Sequence, residues 1–406
     1  MGAVGGRWRE WREGSEVRVV GLVNGLGVCW GRELGFERGQ VWTAVGVWPL
    51  LGMLAAGADG PVREELAGAL GVSAQEAPAA AREVLASVRR VPGCAAALGV
   101  WTAERTEVEA GWVEQLGESV WGRLTGDPDV DRAALDAWAA ERTGGLLRRM
   151  PVDVVGADLV LASAVAVRTR WVAPFRPARR RVAEGPWGRR ELMMLEASGA
   201  EWYERIAVAE TSAGPVTEVR VVGDGEVDVH LVLGEEGAAP GAVVAAGFGL
   251  VSGESWRMPV AGLSDGEPWP GLELATVDAS KPGDVGELRT VGFTVRAEHD
   301  LLARAELFGL RTAAQDGDWF RGISGSAPLK VSQAKQVAVA EFSAEGFEAG
   351  AVTAVAMTRS AGLMIRRFRA RRAVARFDRP FAFLAVHRPS GLVLVAGWVA
   401  DPAAAA

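Results

Sequence analysis

The order in which periodicities change along this chain constrains its fold more than any single motif. Helical spacing of apolar residues dominates early, the two-residue alternation of strands dominates late, and the two never settle into β-α-β units. Residues 16–36 mix Val, Leu, Trp and Gly and predict a first helix. Gln40 to Gly57 is nearly continuous in apolar residues, too long for one strand, and predicts a buried helix in spite of Pro49. The next helix starts with Asp59 as N-cap, Pro61 in its first turn, and Glu64 and Glu65 near the positive end of its dipole. Residues 75–90 predict another helix, and "CAAALGVWTA" (94–103) a buried strand. Residues 131–150 form an amphipathic helical pattern with Leu135, Trp138 and Ala139 on one face, and Ala157 to Trp171 a long apolar strand. Strands fill residues 177–297, broken by Gly and Asp turns; "EHDLLARAELFGL" predicts a short helix. The end is a hairpin: "PFAFLAVH", "RPSG", "LVLVAGW". The expectation is therefore an α+β chain, one domain over residues 1–406, with a helical N-terminal part and large antiparallel sheets.

Composition removes several function classes. A formal charge of −7 gives no overall reason to expect nucleic acid or an anionic membrane as partner. The one dense basic run, "RRFRARRAVARFDR" (366–379), lacks a nucleic-acid fold motif and a basic surround, and reads as a solvated loop open to trypsin-like proteases. The start, "MGAVGGRWREWREG", has no apolar core of a secretory signal, and no uncharged apolar run reaches the ~20 residues of a membrane helix. A soluble, cytoplasmic monomer is expected. Cys29 and Cys94 could form one bridge, but their spacing suggests neither a disulfide framework nor a metal site, and both read as buried thiols.

Catalytic patterns are missing. His230, His299 and His387 have no metal-ligand spacing partner, and there is no HExxH. "GISGS" (322–326) fails the nucleophile-elbow pattern at Ser326, and "GFGLVSG" lacks the spacing of a dinucleotide loop. No cofactor, metal or enzymatic activity is expected.

One stretch stands apart. "EGFEAGAVTAVAMTRSAG" (345–362) is small, apolar and strand-like, yet runs into the arginines of 366–379. The residues around it resemble the serpin family, and the blocks keep that family's order. "FDRPFAFLAVHRPSGLVLVAGWVADP" carries its C-terminal signature at Asp378, Arg379, Pro380, Phe381, Gly397, Asp401 and Pro402. "LDAWAAERTGGLLRRM" is similar at Trp138, Thr143 and Gly145, and "LVLASAVAVRTRWVAPF" at Trp171, Pro174 and Phe175. "GDWFRGIS" (317–324) is similar to its D-F-S-G-I-S. The resemblance is read as one to a bacterial-type member of the family.

That resemblance implies a serine-type endopeptidase inhibitor with an exposed reactive-centre loop, about 345–376. A protease cuts the loop, which then enters the central sheet as a strand while still bound to the enzyme. The hinge of the loop falls on Glu345, Gly346, Phe347, Glu348, Ala349, Gly350 and Ala351. Counting fourteen residues on from Gly346 reaches Ser360, so Arg359-Ser360 is the implied bait bond, for a trypsin-like or otherwise Arg-directed serine protease. Arg366 to Arg372 would lie beyond it as an exposed basic extension. The region where the sheet opens falls on Thr43, Gly46, Ser163, Trp171 and Gln336. Phe347 stands where the family has Thr or another small residue, and the polar cluster at the opening is rewritten. Both departures keep a second implication open: a non-inhibitory binding protein of the same fold, cut as a substrate. Family members are often extracellular, which keeps that location open too.

Overall fold

The computed structural model describes residues 4–116, 120–182, 185–347 and 368–402. It opens with α1 (Val4–Arg32), β1 (Gln40–Trp42), α2 (Ala44–Ala56), α3 (Gly60–Leu70) and α4 (Ala77–Arg90). Next come β2 (Cys94–Ala103), α5 (Ala110–Leu116), β3 (Val120–Leu124), α6 (Pro128–Arg142), β4 (Leu159–Val167), β5 (Thr169–Arg170), β6 (Arg176–Val182) and β7 (Arg190–Gly199). α7 (Ala200–Tyr203), β8 (Ile206–Thr211), β9 (Gly214–Val222), β10 (Val227–Gly234), α8 (Pro240–Ser252) and β11 (Met258–Pro259) follow. The rest is strand: β12 (Leu272–Ala279), β13 (Val285–Val291), β14 (Phe293–Asp300), β15 (Val331–Phe342), β16 (Gly346–Phe347), β17 (Phe368–Arg376), β18 (Phe381–His387) and β19 (Leu392–Val399).

These strands form three sheets. The first runs β1-β19-β18-β10-β9-β8-β11, the second β12-β17-β13-β7-β6, and the third β3-β2-β4-β15-β16-β5 with β14 also on β15. α2 is buried along nearly its whole length, Pro49 included. It touches both β4 of the third sheet and β19 of the first, so its apolar run is core on every side. A smaller apolar cluster sits under α6, where Leu135, Trp138 and Ala139 meet Trp101 and Val160 of the third sheet.

Four expectations change. Gln40–Trp42 is a strand, because its backbone pairs with Ala396–Trp398 of β19 before the helix begins. Asp59 makes no side-chain cap bond to α3; its carboxylate instead accepts from Arg321 N–H. Glu298, His299 and Asp300 finish β14 in register with Val337, Gln336 and Lys335, and only a 3-10 turn at Leu302–Arg304 follows. Cys29 is exposed, not buried, and neither it nor Cys94 is bridged.

The basic run gives the largest correction. Phe368–Arg376 is no solvated loop but β17, paired antiparallel with β12 from Leu272↔Ala375 to Ala279↔Phe368 and parallel with β13. Burial explains it: Ala370, Ala373, Val374 and Ala375 are buried, on both faces of the strand from 373 onward, and three of its arginines find carboxylates. Arg371 reaches Asp265 (3.2 Å), Arg372 reaches Glu287 (2.6 Å) and Arg376 reaches Glu273 (2.7 Å). The extension expected over Arg366 to Arg372 is therefore sheet from Phe368 onward, and the segment between β16 and β17 is 348–367.

Candidate functional site

The site is a line through the third sheet, the seam between β4 and β15. These two strands are parallel neighbours from Val331↔Leu159 to Ala338↔Val165, while β2 and β14 flank them antiparallel. Beyond Val165 the seam parts. β5, the continuation of β4, and the end of β15 enclose β16, with Phe347 opposite both Phe342 and Thr169. The first two residues after the turn thus already form a strand between the diverging neighbours.

Side chains fix this wedge. Ser343 Oγ accepts from the N–H groups of Glu345 (3.3 Å) and Gly346 (3.2 Å), which tightens the turn. Trp171 donates its indole N–H to Ser343 O (3.0 Å) and its backbone N–H to Glu345 O (2.9 Å), while Phe175 N–H reaches Ala344 O (2.8 Å). A Cβ on Gly346 would stand 2.4 Å from the carbonyl oxygen of Thr169, so close approach of β5 requires glycine there. Phe347 is fully buried, its ring 6.2 Å from that of Phe383.

A second cluster lies further down the seam. Gln336 of β15 is opposite Ser163 of β4 and completely buried. Its Oε1 accepts from Thr43 N–H (3.0 Å) and its Nε2 donates to Thr43 O (2.8 Å) and Ser163 Oγ (3.3 Å). The amide therefore satisfies both backbone groups of the residue that starts α2. Gly46 lies nearby, where a Cβ would come within 2.3 Å of Ser163 Oγ. Across the other edge of β15, His299 pairs with Gln336 in register and donates to Val41 O (2.8 Å). Burial lowers the pKa of His299 below its ordinary value.

Thr43, Gly46, Ser163 and Gln336 thus converge as expected. Trp171 does not join them; it belongs to the wedge. Of the hinge residues, Glu345, Gly346 and Phe347 are placed, while Glu348, Ala349, Gly350 and Ala351 lie outside the described residues, as do Arg359 and Ser360. The aromatic ring at 347, where the family has a small residue, is already seated among buried neighbours. Phe383, the turn at Ser343 and the tie from Trp171 had no signal in their local sequence beyond apolar alternation.

His230 is held by Glu218 (2.5 Å), and His387 by Ser390 (2.7 Å) and Glu226 (3.3 Å). Burial pushes the Cys94 thiol up to about 12, which keeps it protonated and unreactive. Among the described residues no helix is long and apolar enough to cross a membrane.

Comparison with known proteins finds relatives of the same fold. Residues 289–402 match the family model "Serpin (serine protease inhibitor)", which describes inhibitors and not catalysts. Serpin-Z2B of Oryza sativa subsp. japonica is 26% identical over 400 residues, covering 90% of this chain and 92% of its own length. A serpin-Z6C of the same plant is 26% identical over 415 residues, covering 94% and 95%. These relatives are plant proteins, and they lend no support to a bacterial type. Native protease nexin-1 with heparin has a similar structure, with a TM-score of 0.71 at 18% identity over 96% of this chain and 100% of that one. Human thyroxine-binding globulin complexed with thyroxine gives 0.73 at 15% identity over 96% and 99%.

Proposed function

The chain has the serpin fold, and on that premise we propose that it inhibits a serine protease by letting its cut loop enter the seam between β4 and β15. One observation carries this reading: β16 already occupies the parted end of that seam. A strand entering antiparallel below it replaces one parallel pair by two antiparallel ones, which adds ladder hydrogen bonds in the more stable geometry. The small residues Ala349, Ala351 and Thr353 suit a strand that must slot between packed neighbours. Arg359-Ser360 is the proposed bait bond and an Arg-directed protease the proposed partner, acting on a monomer.

The second reading is a binding protein of the same fold that is cut without inhibiting. It is favoured by Phe347, whose buried ring could hold β16 in place instead of leading insertion. Incubation with trypsin followed by boiling in detergent separates the two. A band of chain plus protease supports inhibition; cut chain alone supports the second reading.

A further inference from the structure

We propose that the outer edge of the second sheet is a docking surface for an acidic patch on the protease that attacks the bait, an inference that rests on the bait reading above. Among the described residues β6 is the edge of that sheet and pairs with β7 alone. It carries Arg176, Arg179, Arg180 and Arg181, and the turn into β7 adds Arg189 and Arg190, all exposed. Their compensation is partial. Glu196 takes Arg180 (3.0 Å) and Arg176 (4.0 Å), and Asp401 takes Arg190 (2.7 Å). Arg181 and Arg189 have no carboxylate partner among the described residues.

A charged edge strand also discourages edge-to-edge pairing, and that is its simplest explanation. It does not account for Arg189. Among the described residues Arg189 alone, glycines aside, has a positive φ (64°), a conformation that glycine adopts without strain. Its turn is pinned: Trp187 is buried and donates to Ala400 O (2.8 Å). An arginine kept in a strained position, on a pinned turn, with no carboxylate partner among the described residues, is presented outward.

Position selects the partner. Phe175, bonded to Ala344 at the base of the wedge, is the residue before β6. Arg179 and Arg181 then lie about 13 to 20 Å along the strand at roughly 3.3 Å per residue. A protease of about 200 residues has a radius of roughly 20 Å, so one bound to the chain beyond Phe347 has the reach to touch this edge. A long polyanion would need no such proximity, and the net charge of −7 would oppose it. Complementary charge at a rim acts mainly on the rate of encounter.

The test measures the second-order rate of cutting within 348–367, read as cut chain by mass spectrometry, with an acidic and a basic trypsin. Cutting is read, not inhibition, so the result does not depend on what the cut loop does. The double replacement Arg181→Glu with Arg189→Glu should slow the acidic trypsin about tenfold at low salt, lose that effect at high salt, and not slow the basic one. Arg181→Lys with Arg189→Lys should keep the original rate. Arg189→Gly, which relieves the strained φ, should melt no lower than the original yet still slow the acidic enzyme. Equal rates for original and double variant with the acidic trypsin overturn the proposal. So does an oligonucleotide that binds the original and not the double variant while both are cut alike. No cutting within 348–367 by either enzyme overturns the bait reading, and this inference with it.

Discussion

The ring of Phe347 stands 6.2 Å from that of Phe383, tilted by 57°, so the third residue of the stretch 345–362 is anchored on β18 of another sheet. Phe383 in turn lies 4.8 Å from Phe293, which stacks on Phe342 at 5.3 Å. The wedge therefore rests on an aromatic column that joins the first and third sheets.

Phe347→Ala should destabilise the intact protein by about 3 kcal/mol, near the lower end for a buried phenylalanine because strand ends relax more easily. The check is the apparent Tm of the intact chain at a fixed scan rate. An unchanged value would mean that β16 is not held by its ring.

Gly46→Ala should cost about 1–3 kcal/mol through overpacking against Ser163 Oγ, and Ser163→Ala should recover part of that cost. Gln336→Ala should cost about 1–3 kcal/mol for the Thr43 N–H left buried without a partner, while Thr43 O keeps the Gly46 N–H (3.3 Å). A double-mutant cycle of Gly46→Ala and Ser163→Ala, followed by denaturant unfolding, checks the first claim. Strict additivity contradicts it.

His299 gives a signed pH effect. Its folded pKa lies below the unfolded value near 6.5, because burial disfavours the charged ring. The unfolded chain therefore takes up the proton first, and the contribution of His299 is complete above about 6.5 and lost as pH falls below it. His299→Gln should flatten the fall in stability between pH 6.5 and 5. A slope unaltered by the replacement would contradict the assignment.

Much of this was legible because local and global preferences agree. The strand Cys94–Ala103 follows from a short continuous apolar run, and the buried face of α6 from helical spacing. The C-terminal signature maps onto buried groups: Phe377 and Phe381 are fully enclosed, and Arg379 donates to Gly234 O (2.8 Å). What failed was decided across the sheet. Five arginines between Arg366 and Arg372 look like a solvated segment until Asp265, Glu287 and Glu273, about 85 to 106 residues away in sequence, are placed beside β17. Gln40–Trp42 became strand only because β19 offered an edge. Trp171 was grouped with the wrong cluster because a motif position does not say which end of a strand its side chain serves.

Trypsin should release a C-terminal fragment that begins at Ser360. Cutting after Arg369 or Arg372 would need β17 to leave two neighbouring strands, since proteases require backbone free of a sheet. N-terminal sequencing of the fragment decides it, and a sole start at Phe368, Ala370 or Ala373 would contradict the bait bond.

The central claim is that a cut loop enters the β4–β15 seam, and the melting temperature after one clean cut tests it most directly. Inserting a strand adds ladder hydrogen bonds and buries apolar area, so the cut protein should melt well above the intact one at the same scan rate. Equal or lower melting after the cut would contradict the account.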